Sequence, residues 1–447
     1  MSELFHFSPR ANRADEIGWS GWGAEPFERA STADRPVLLH LTTVWCRWCH
    51  VMDETTFSDL DVIALINREL VPIRVDADRE PHVRDRYIAG GWPTTAFLTP
   101  SGEMLWAGVG LEPDEFSRAA RSVLEAWTSR REELRAEVER RRRALESAAA
   151  HRSTAAIVRR ESGDDVLALL QDSFDSRNGG FGAAPKFPAP EAVQLLYSEG
   201  LRLRQPDWVE MARRTLDGMA AGELFDRIDG GFFRYALEPD WTRPQHEKLL
   251  AENAALLRAY ALGAAIESRA DWAGLVDRTI DWAIARLDRG DGLWANSQDA
   301  DATYYALDAR ARLRSEPPFV DRRAFTDANA DWAAALADAG GRLGRAEWIE
   351  RATRTGAALF DAVVEPSGRT AHEAGGSGVT GLLGDAVALA EACLQLAQST
   401  GEAHWIERAR LLAGELQDRL LADDGGFYDR SPNGDDIGAL RYRDRPF

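Results

Sequence analysis

The chain has 447 residues, of which 45% are hydrophobic, and carries a formal net charge of −19 at pH 7. This length exceeds what one hydrophobic core usually serves, so we expect two domains of unequal size. The negative charge repels phosphate backbones and anionic lipid, which argues against nucleic acid or a membrane surface as a partner.

We expect a cytoplasmic protein with one reactive cysteine pair. The first twenty residues lack a basic stretch followed by an apolar run, and no apolar segment is long enough to cross a bilayer. In the reducing cytoplasm three cysteines do not build a disulfide scaffold, so a C-x-x-C pair indicates redox or metal chemistry. Cys393, within the helical pattern ALAEACLQLAQ, is expected to be inert core.

Residues 1–127 predict a small α/β domain. The apolar, β-branched run PVLLHLTTV indicates a strand, and CRWCHVMDETTF directly after it indicates the start of a helix. A further helix, DVIALINREL, precedes a second strand, LVPIRVDAD. The segment GWPTTAFLTPSGEMLWAGVG then predicts two strands joined by a PSGE turn, followed by a helix that opens at Pro113.

Residues 128–160 are predicted to form a charged helical linker. Both charge signs recur at helical spacing with few apolar residues, which favours a solvated helix over a binding site. Beyond residue 160 helices come in pairs. The clearest pair has apolar stripes at Leu249, Asn253, Leu256 and Tyr260, and at Trp272, Val276, Ile280, Ala283 and Leu287.

Glycine-aromatic segments separate these helix pairs. They are NGGFGAAPKFP, DGGFFRYALEPDW, DGLWANSQDADA and DGGFYDRSP. A recurrence at roughly fifty to seventy residues indicates helical hairpins whose loops share one rim. Hairpins that each expose two apolar stripes bury both by closing a ring, so we expect an α/α toroid over residues 161–447, with an open solenoid as the alternative.

The placement of Cys46 and Cys49 between a strand and a helix favours thiol–disulfide chemistry. The first sulfur lies beside unpaired backbone N–H groups at the positive helix end, which stabilises its thiolate. Cys46 is therefore the expected nucleophile, with Arg47 next to it, and Cys49 the resolving partner. Zinc would need two more ligands, and the chain has no second C-x-x-C and no H-x-x-x-H pair. We expect no metal and no cofactor; a metal site and two inert thiols are the alternatives.

Six segments resemble, in this order, the family of spermatogenesis-associated thioredoxin-like proteins and their bacterial relatives: WCRWCHVMDETTFSD, LVPIRVDADREP, GGWPTTAFLTPSGE, GGFGAAPKFPAP, IDGGFFRYALEPDWTRPQHEKLLAENAALL and NSQDADA. The resemblance covers most of the chain. It implies a thioredoxin-like domain joined to a toroid similar to N-acylglucosamine 2-epimerases and six-hairpin glycosidases. Because the chain is shorter than typical members, fewer or altered hairpins are an open alternative. The family's activity is not established, so the resemblance implies architecture more than function.

The resemblance also implies which residues surround the cysteines. A thioredoxin-like domain carries a cis-proline opposite its cysteines, and Trp92-Pro93 is expected to be that bond, with an ordinary trans proline as the alternative. The side chains expected to contact a client are Trp45, Arg47, Trp48 and Trp92. Arg47 stands where the family usually has histidine, which implies different redox tuning.

His40 is a further candidate of the redox site. Thioredoxins usually place a buried carboxylate six residues before the first cysteine, and this chain has His40 there. A neutral imidazole at this position could take the proton of the resolving thiol near neutral pH. The alternative is a strand histidine bonded to a neighbouring backbone group.

A second candidate site lies in the glycine loops of the helical domain. Aromatic faces bind sugar rings, and carboxylates or histidines transfer protons to them. We expect these loops to meet at one cavity mouth, and His246 to lie in the first turn of the next helix, where a neutral imidazole is favoured. The alternatives are aromatics that fill the core and acidic residues that only cap helices. The candidates are Lys186, Arg234, Tyr235, Trp241, His246, Glu247, Asp299 and Asp301.

These patterns favour a thiol–disulfide oxidoreductase whose toroid binds a client or a small ligand of carbohydrate type. One alternative is a carbohydrate-active toroid enzyme with a regulatory or scaffolding thioredoxin-like domain. Another is a binding protein without catalysis. The expected partner is a thiol or disulfide client protein or a small molecule, and neither nucleic acid nor membrane.

Overall fold

The computed structural model describes residues 5–151, 160–376, 378–423, 425–432, 436–441 and 443. The chain divides into two units. The first unit comprises Met1–Ala155 together with Leu420–Phe447, and the helical unit comprises Ala156–Arg419. The predicted boundaries gave every residue after 160 to the helical domain, so the grouping of the C-terminal segment with the first unit is a new feature.

The first unit combines a small sheet with six helices among its described residues. Its strands are β1 (Val37–Thr42), β2 (Val71–Asp76), β3 (Thr94–Leu98) and β4 (Met104–Val109). Its helices are α1 (Ala24–Ala33), α2 (Arg47–Glu54), α3 (Leu60–Glu69), α4 (Pro81–Tyr87), α5 (Pro113–Ser129) and α6 (Arg131–His151), with short 3-10 turns at Ala14–Glu16, Thr56–Ser58 and Gly438–Arg441.

The sheet has the strand order β2-β1-β3-β4. β1 is parallel to β2 and antiparallel to β3, and β3 is antiparallel to β4. All residues of β1 are buried, as its continuous apolar run indicates for a central strand. The predicted strands and helices occur in the expected order, and α5 begins at Pro113 as expected. The first helix, α1, was not predicted.

Side chains of β1 alternate between two apolar clusters. Leu38 contributes to a cluster with Phe57 and Phe116, on the side of the sheet that α3 and α5 cover. Leu39 contributes to the other cluster, which includes Tyr87. His40 has the parity of Leu38 and therefore lies on the same face as Phe57, with which its ring makes an edge contact at 4.7 Å.

The C-terminal segment completes the second of these clusters. Leu440 is 1% exposed and packs into it. The hydroxyl of Tyr87 donates to the carbonyl oxygen of Gly102 at 2.7 Å and accepts the backbone N–H of Ala439 at 3.0 Å. Arg86 pairs with Asp429 at 2.6 Å. The first unit therefore uses apolar surface from both ends of the chain.

The helical unit consists of long helices joined by loops with very short strands. Its helices are α7 (Arg160–Ser173), α8 (Pro190–Leu203), α9 (Pro206–Ala221), α10 (Leu250–Glu267), α11 (Ala270–Arg286), α12 (Ala302–Tyr305), α13 (Ala309–Arg312), α14 (Thr326–Leu343), α15 (Ala346–Val363), α16 (Leu383–Thr400) and α17 (His404–Arg419). Its strands are β5 (Tyr235–Ala236), β6 (Pro244–Gln245), β7 (Lys248–Leu249), β8 (Ser297–Gln298) and β9 (Val320–Asp321). In the part of the chain that the structure describes, no helix is long and apolar enough to cross a membrane.

The long helices form hairpins around a row of inner helices. The pairs are α8 with α9, α10 with α11, α14 with α15 and α16 with α17. α10 also packs against α8 and α14, and α14 against α16, so these four inner helices stand side by side. The predicted combination of an α/β domain with an α/α toroid is confirmed, and the described residues contain four complete hairpins, fewer than six.

The inner row curves around a central cavity. The first inner helix contributes Glu191 and the last contributes Glu391 to a cavity of about 380 Å³, which Arg258 of α10 and Asp331 of α14 also line. The pKa of Asp331 is raised to about 7, mainly by burial and further by nearby carboxylates including Asp327 and Glu391. Helix pairing thus creates a cavity whose mixed-charge lining the sequence patterns did not indicate.

Candidate functional site

The cysteines lie where β1 passes into α2. Cys46 is the N-cap residue of α2, and its Sγ accepts a hydrogen bond from the backbone N–H of Cys49 at 3.1 Å. The two form a disulfide, with their Cα atoms 5.3 Å apart. Both cysteines are buried, whereas Trp48 between them is 47% exposed and Arg47 is half-buried. The predicted position of Cys46 at the helix start is confirmed. The roles of nucleophile and resolving thiol remain predictions.

The Trp92-Pro93 bond is cis, as predicted. Pro93 directly precedes β3, whose first residue, Thr94, pairs with Leu41 near the end of β1. The ring of Trp92 meets that of Trp45 edge to face at 6.2 Å. The proline therefore begins the strand beside the one that leads to the cysteines.

His40 is fully buried in β1. Its Nδ1 lies 3.4 Å from Oγ1 of Thr95, and its Nε2 has no hydrogen-bond partner among the described residues. Burial, and to a lesser degree the charge of Arg74, hold the pKa of His40 well below its usual value. A pKa lowered in this way favours the neutral imidazole and also makes it a weak proton acceptor.

A buried ion pair behind α2 was not predicted. Nη1 and Nη2 of Arg74 donate to the two carboxylate oxygens of Asp53 at 2.7 and 2.9 Å, and both side chains are at most 1% exposed. The backbone N–H of Ser8 donates to the same carboxylate at 3.1 Å. The signal was an arginine in the apolar strand VPIRVD, because a charge there needs a buried partner.

His50, the residue after the second cysteine, is also buried beside this pair. Burial is the largest cause that lowers its pKa to about 3, followed by the neighbouring His6 and Arg74. The backbone of Val44 in the preceding loop acts in the opposite direction and raises this pKa slightly. The ring centroid of His6 lies 5.7 Å away.

In the helical unit, Lys186 and Trp241 are packed together inside a glycine turn. Nζ of Lys186 lies 2.6 Å from Oδ2 of Asp175, donates to the carbonyl oxygen of Pro239 at 3.0 Å and lies 5.0 Å from the Trp241 ring. Both predicted residues are 1% exposed. Their observed contacts hold the loop closed.

A second turn repeats this arrangement around Lys248. Its Nζ lies 2.8 Å from Oδ2 of Asp226 and 2.7 Å from the carbonyl oxygen of Gly230, and the ring of Trp282 is 5.3 Å away. Arg312 adds a second cation to Asp226 at 2.8 Å. The pKa of Lys248 is lowered to about 8 because burial outweighs the opposite effect of the Asp226 and Asp229 carboxylates. In both turns an aspartate stands four residues before a Gly-Gly-Phe. That recurrence was the sequence signal from which the two buried lysine–aspartate pairs could have been predicted.

The expected position of His246 in the first turn of a helix is wrong. α10 begins at Leu250, and His246 lies between β6 and β7 because Lys248 and Leu249 pair as a strand with β8. Its ring stacks on that of Tyr305 at 5.1 Å with an interplanar angle of 17°. Tyr305 belongs to α12, whose N-cap is Asp301. The structure therefore brings the two predicted residues His246 and Asp301 to the same group of loops.

The remaining candidates lie in adjoining loops. Nε of Arg234 is 3.2 Å from Oε1 of Glu252, and the Tyr235 ring stacks on Phe187 at 4.4 Å. Glu247 is 2% exposed, and the backbone N–H of Asp299 donates to Phe319 at 2.9 Å. Asp301 accepts the N–H groups of Thr303 and Tyr304, so it caps α12 as the alternative interpretation held.

Several buried polar atoms of these loops lack a hydrogen-bond partner among the described residues. Tyr235 pairs with Gln245 in one small sheet, and Lys248 pairs with Gln298 in the next. Buried polar groups without partners are costly in a folded protein unless water or a ligand satisfies them. The sequence analysis missed these atoms, which are Oε1 of Gln245, Oγ of Ser297, Nε2 of Gln298 and the hydroxyl of Tyr305.

A cluster of metal-ligand type lies between α14 and α16. Asp327, His372 and Asp385 each offer an atom, all within 4.8 Å of one another. Asp385 accepts from Nδ1 of His372 at 2.9 Å, and the backbone of Asp327, in the first turn of α14, lowers the pKa of this carboxyl. Positive helix ends oppose a cation here, so the arrangement fits a helix cap better than a metal site.

Comparison with known proteins shows that the first unit is similar to a known family. Residues 8–146 match the family Thioredox_DsbH, described as a protein of unknown function, DUF255. The chain is 30% identical over 306 residues to the uncharacterised protein B0495.5 of Caenorhabditis elegans and 27% identical over 311 residues to spermatogenesis-associated protein 20 of Homo sapiens. Both alignments include 64% of this chain, but only 42% and 39% of these relatives. The predicted family resemblance is confirmed, and the chain spans about two fifths of the length of the curated relatives that it matches.

The chain has weaker likenesses among solved structures. A D-mannose isomerase superposes with a TM-score of 0.47 at 12% identity, over 64% of this chain and 74% of that one. A family 76 glycoside hydrolase from a bovine Bacteroides thetaiotaomicron strain superposes with a TM-score of 0.48 at 11% identity, over 63% and 60%. The fold assignment therefore depends on the helix packing of this chain itself.

Proposed function

We propose that this relative of spermatogenesis-associated protein 20, whose residues 8–146 match the Thioredox_DsbH family, is a thiol–disulfide oxidoreductase. The observation that carries the proposal is the position of Cys46 at the start of α2, with the N–H of Cys49 directed at its Sγ. Backbone donors and a positive helix end stabilise a thiolate at this atom.

The reaction uses only the two cysteines and a disulfide-containing client protein. The thiolate of reduced Cys46 attacks one client sulfur, the client disulfide breaks, and the released client thiolate takes a proton. The thiolate of Cys49 then attacks Sγ of Cys46, which frees the second client thiol and forms the Cys46–Cys49 disulfide. Two electrons pass to the client, and an external dithiol returns the pair to the reduced state.

Trapping of the mixed disulfide tests this proposal. With Cys49→Ser, the intermediate between Cys46 and a disulfide peptide should persist, whereas Cys46→Ser should form none. Cys393→Ser is the matched control, because that thiol is buried in α16 and burial raises its pKa to about 12. Equal adduct formation by the Cys46→Ser and Cys49→Ser variants, or an unreactive reduced wild-type protein, would refute the exchange function.

For the helical unit we propose binding of the client or of a small polyhydroxylated ligand. The support is the set of buried polar atoms without partners near His246 and Tyr305. Retained carbohydrate chemistry is the second candidate function, favoured by the stacked His246 and Tyr305 rings beside these atoms. A cytoplasmic location remains part of the proposal, since a reducing compartment would supply the dithiol.

Calorimetric titration with monosaccharides and amino sugars tests the ligand. His246→Ala should weaken any binding at least tenfold with little change in melting temperature. His404→Ala, at an exposed position of α17, is the control and should bind as the wild type does. Loss of stability without loss of binding would mean that His246 only packs.

A further inference from the structure

A long loop between two paired strands carries Tyr305 to the candidate ligand site. β8 and β9 pair antiparallel, and directly beyond them the backbone N–H of Asp299 donates to the carbonyl oxygen of Phe319 at 2.9 Å. Residues 299–319, which we call the flap, therefore leave the sheet and return to it at neighbouring positions. The flap contains the two short helices α12 and α13. Long loops within a compact domain are commonly binding loops or lids.

Arg312 links the flap to a glycine turn of the helical unit. Its Nη1 donates to Oδ2 of Asp226 at 2.8 Å and to Oδ2 of Asp229 at 3.1 Å. Its Nη2 and Nε donate to carbonyl oxygens of the flap itself, those of Tyr305 at 2.9 Å and Leu307 at 3.3 Å. The side chain is 5% exposed, so these charge-assisted bonds are shielded from water. One guanidinium therefore joins the end of α12 to the turn.

The polar atoms that support ligand binding are closed off from solvent while the flap is in this position. Ser297 and Gln298 are each 1% exposed, and Tyr305 is 7% exposed. Oγ of Ser297, Nε2 of Gln298 and the hydroxyl of Tyr305 have no hydrogen-bond partner among the described residues. A ligand that satisfies these atoms reaches them only after some element moves. Because Tyr305 belongs to the flap and its ring stacks on that of His246, movement of the flap would uncover both rings.

The glycine turn has contacts that do not depend on Arg312. Nζ of Lys248 lies 2.8 Å from Oδ2 of Asp226. The hydroxyl of Tyr304 donates to Oδ2 of Asp229 at 3.0 Å. The strand pairing at the base of the flap involves neither of these aspartates. The guanidinium can therefore be released while the turn and the base of the flap keep their structure.

We propose that residues 299–319 are a flap that closes the ligand site of the helical unit, and that Arg312 is the latch that holds it shut on Asp226 and Asp229. This inference rests on the proposed ligand binding of that unit and is independent of the redox function. It assigns control of access to one buried guanidinium.

Hydrogen exchange in the full-length protein tests the latch without any ligand. Arg312→Met removes the charge, and Asp229→Asn is a second variant that weakens the latch from the side of the turn. Arg310→Met is the matched control, because Arg310 lies in the same helix, α13, and is exposed. Nitration of Tyr305 by tetranitromethane, followed by peptide mass spectrometry, measures whether its ring becomes accessible. Melting temperatures identify any variant that fails to fold.

Arg312→Met should raise the exchange rate of peptides within residues 299–319 by about tenfold, because buried charge-assisted hydrogen bonds are lost, and should leave peptides of α10 and α14 unchanged. Nitration of Tyr305 should rise in parallel. Asp229→Asn should act in the same direction but less strongly, because Arg312 keeps its bond to Asp226. Arg310→Met should match the wild type.

The idea is overturned if folded Arg312→Met protein exchanges and is nitrated as the wild type is, or if its α10 and α14 peptides loosen as much as the flap. Failure of the ligand proposal gives a different result. A flap that opens in the variants as described, in a protein that binds no monosaccharide or amino sugar with or without Arg312→Met, would refute ligand binding and not the latch contacts.

Discussion

The cysteine turn and the glycine loops of the helical unit both contain buried ion pairs, but these pairs stabilise different parts of the structure. At the cysteine turn, Arg74 and Asp53 pair behind α2 and leave Cys46 and Cys49 to each other. In the glycine loops, Lys186 and its counterpart Lys248 are themselves bound by the turn aspartates. A buried cation therefore stabilises the helix that carries the cysteines in the first region, whereas in the second it stabilises the backbone of a loop.

Removing one member of each buried ion pair should produce the largest effects. Arg74→Met should lower the free energy of unfolding by about 3–5 kcal/mol, because it leaves the buried carboxylate of Asp53 without a cation. Lys248→Met should cost less, because Arg312 still pairs with the Asp226 carboxylate. Urea denaturation followed by tryptophan fluorescence measures this loss. Among molecules that remain folded, only Arg74→Met should slow the alkylation of Cys46.

Lys186→Met sharpens this comparison, because its partner Asp175 is 17% exposed and can be solvated. Its cost should therefore be smaller than that of Lys248→Met. An equal loss of Cys46 reactivity in the Arg74 and Lys248 variants would break the distinction between the two regions.

The C-terminal segment should contribute to the stability of the first unit alone. Leu440→Ala should cost about 2–3 kcal/mol, because it opens a cavity in a cluster that includes Tyr87. Leu421→Ala, at a position that is 46% exposed, is the control and should cost much less. Hydrogen exchange read separately in peptides of the two units measures the effect. Loosening of the α8 to α17 peptides by Leu440→Ala would contradict the assignment of this segment to the first unit.

Acid should destabilise the cysteine turn through His50. Its pKa is about 3 in the folded protein and near 6.5 when unfolded, so the unfolded chain binds more protons between these values. Stability should therefore fall as the pH falls from 6.5. His50→Asn removes this proton uptake, and its loss between pH 6.5 and 4.5 should be smaller by on the order of 2 kcal/mol. Denaturation at several pH values tests this, and parallel curves would contradict a buried neutral imidazole.

The smallest effect is expected at the helix caps of the glycine loops. Asp301→Ala should cost about 1 kcal/mol by removing the cap of α12, and Asp308→Ala should cost a similar amount at α13. Thermal melting compares the two caps. If Asp301→Ala instead abolishes ligand binding at unchanged stability, Asp301 is a ligand-binding residue and the comparison of the two regions fails there.

The sequence determined those features that depend on neighbouring residues. A β-branched run followed by C-x-x-C fixes Cys46 at the start of a helix, and Pro113 marks the beginning of α5. The stripe that includes Trp272 and Ile280 is buried as predicted, because helical periodicity alone sets which residues share a face. Local patterns were sufficient for these features.

Tertiary structure decided which buried polar residues pair with each other and where the C-terminal segment packs. Arg312 meets Asp226 across 86 positions of sequence, and Leu440 joins a cluster formed by residues near the other end of the chain. His246 does not lie at the predicted helix start, because the residues that follow it pair with a strand some fifty positions away. The physical reason is that a buried charge or an unpaired strand takes its partner from whatever the fold brings near, and no local pattern encodes that partner.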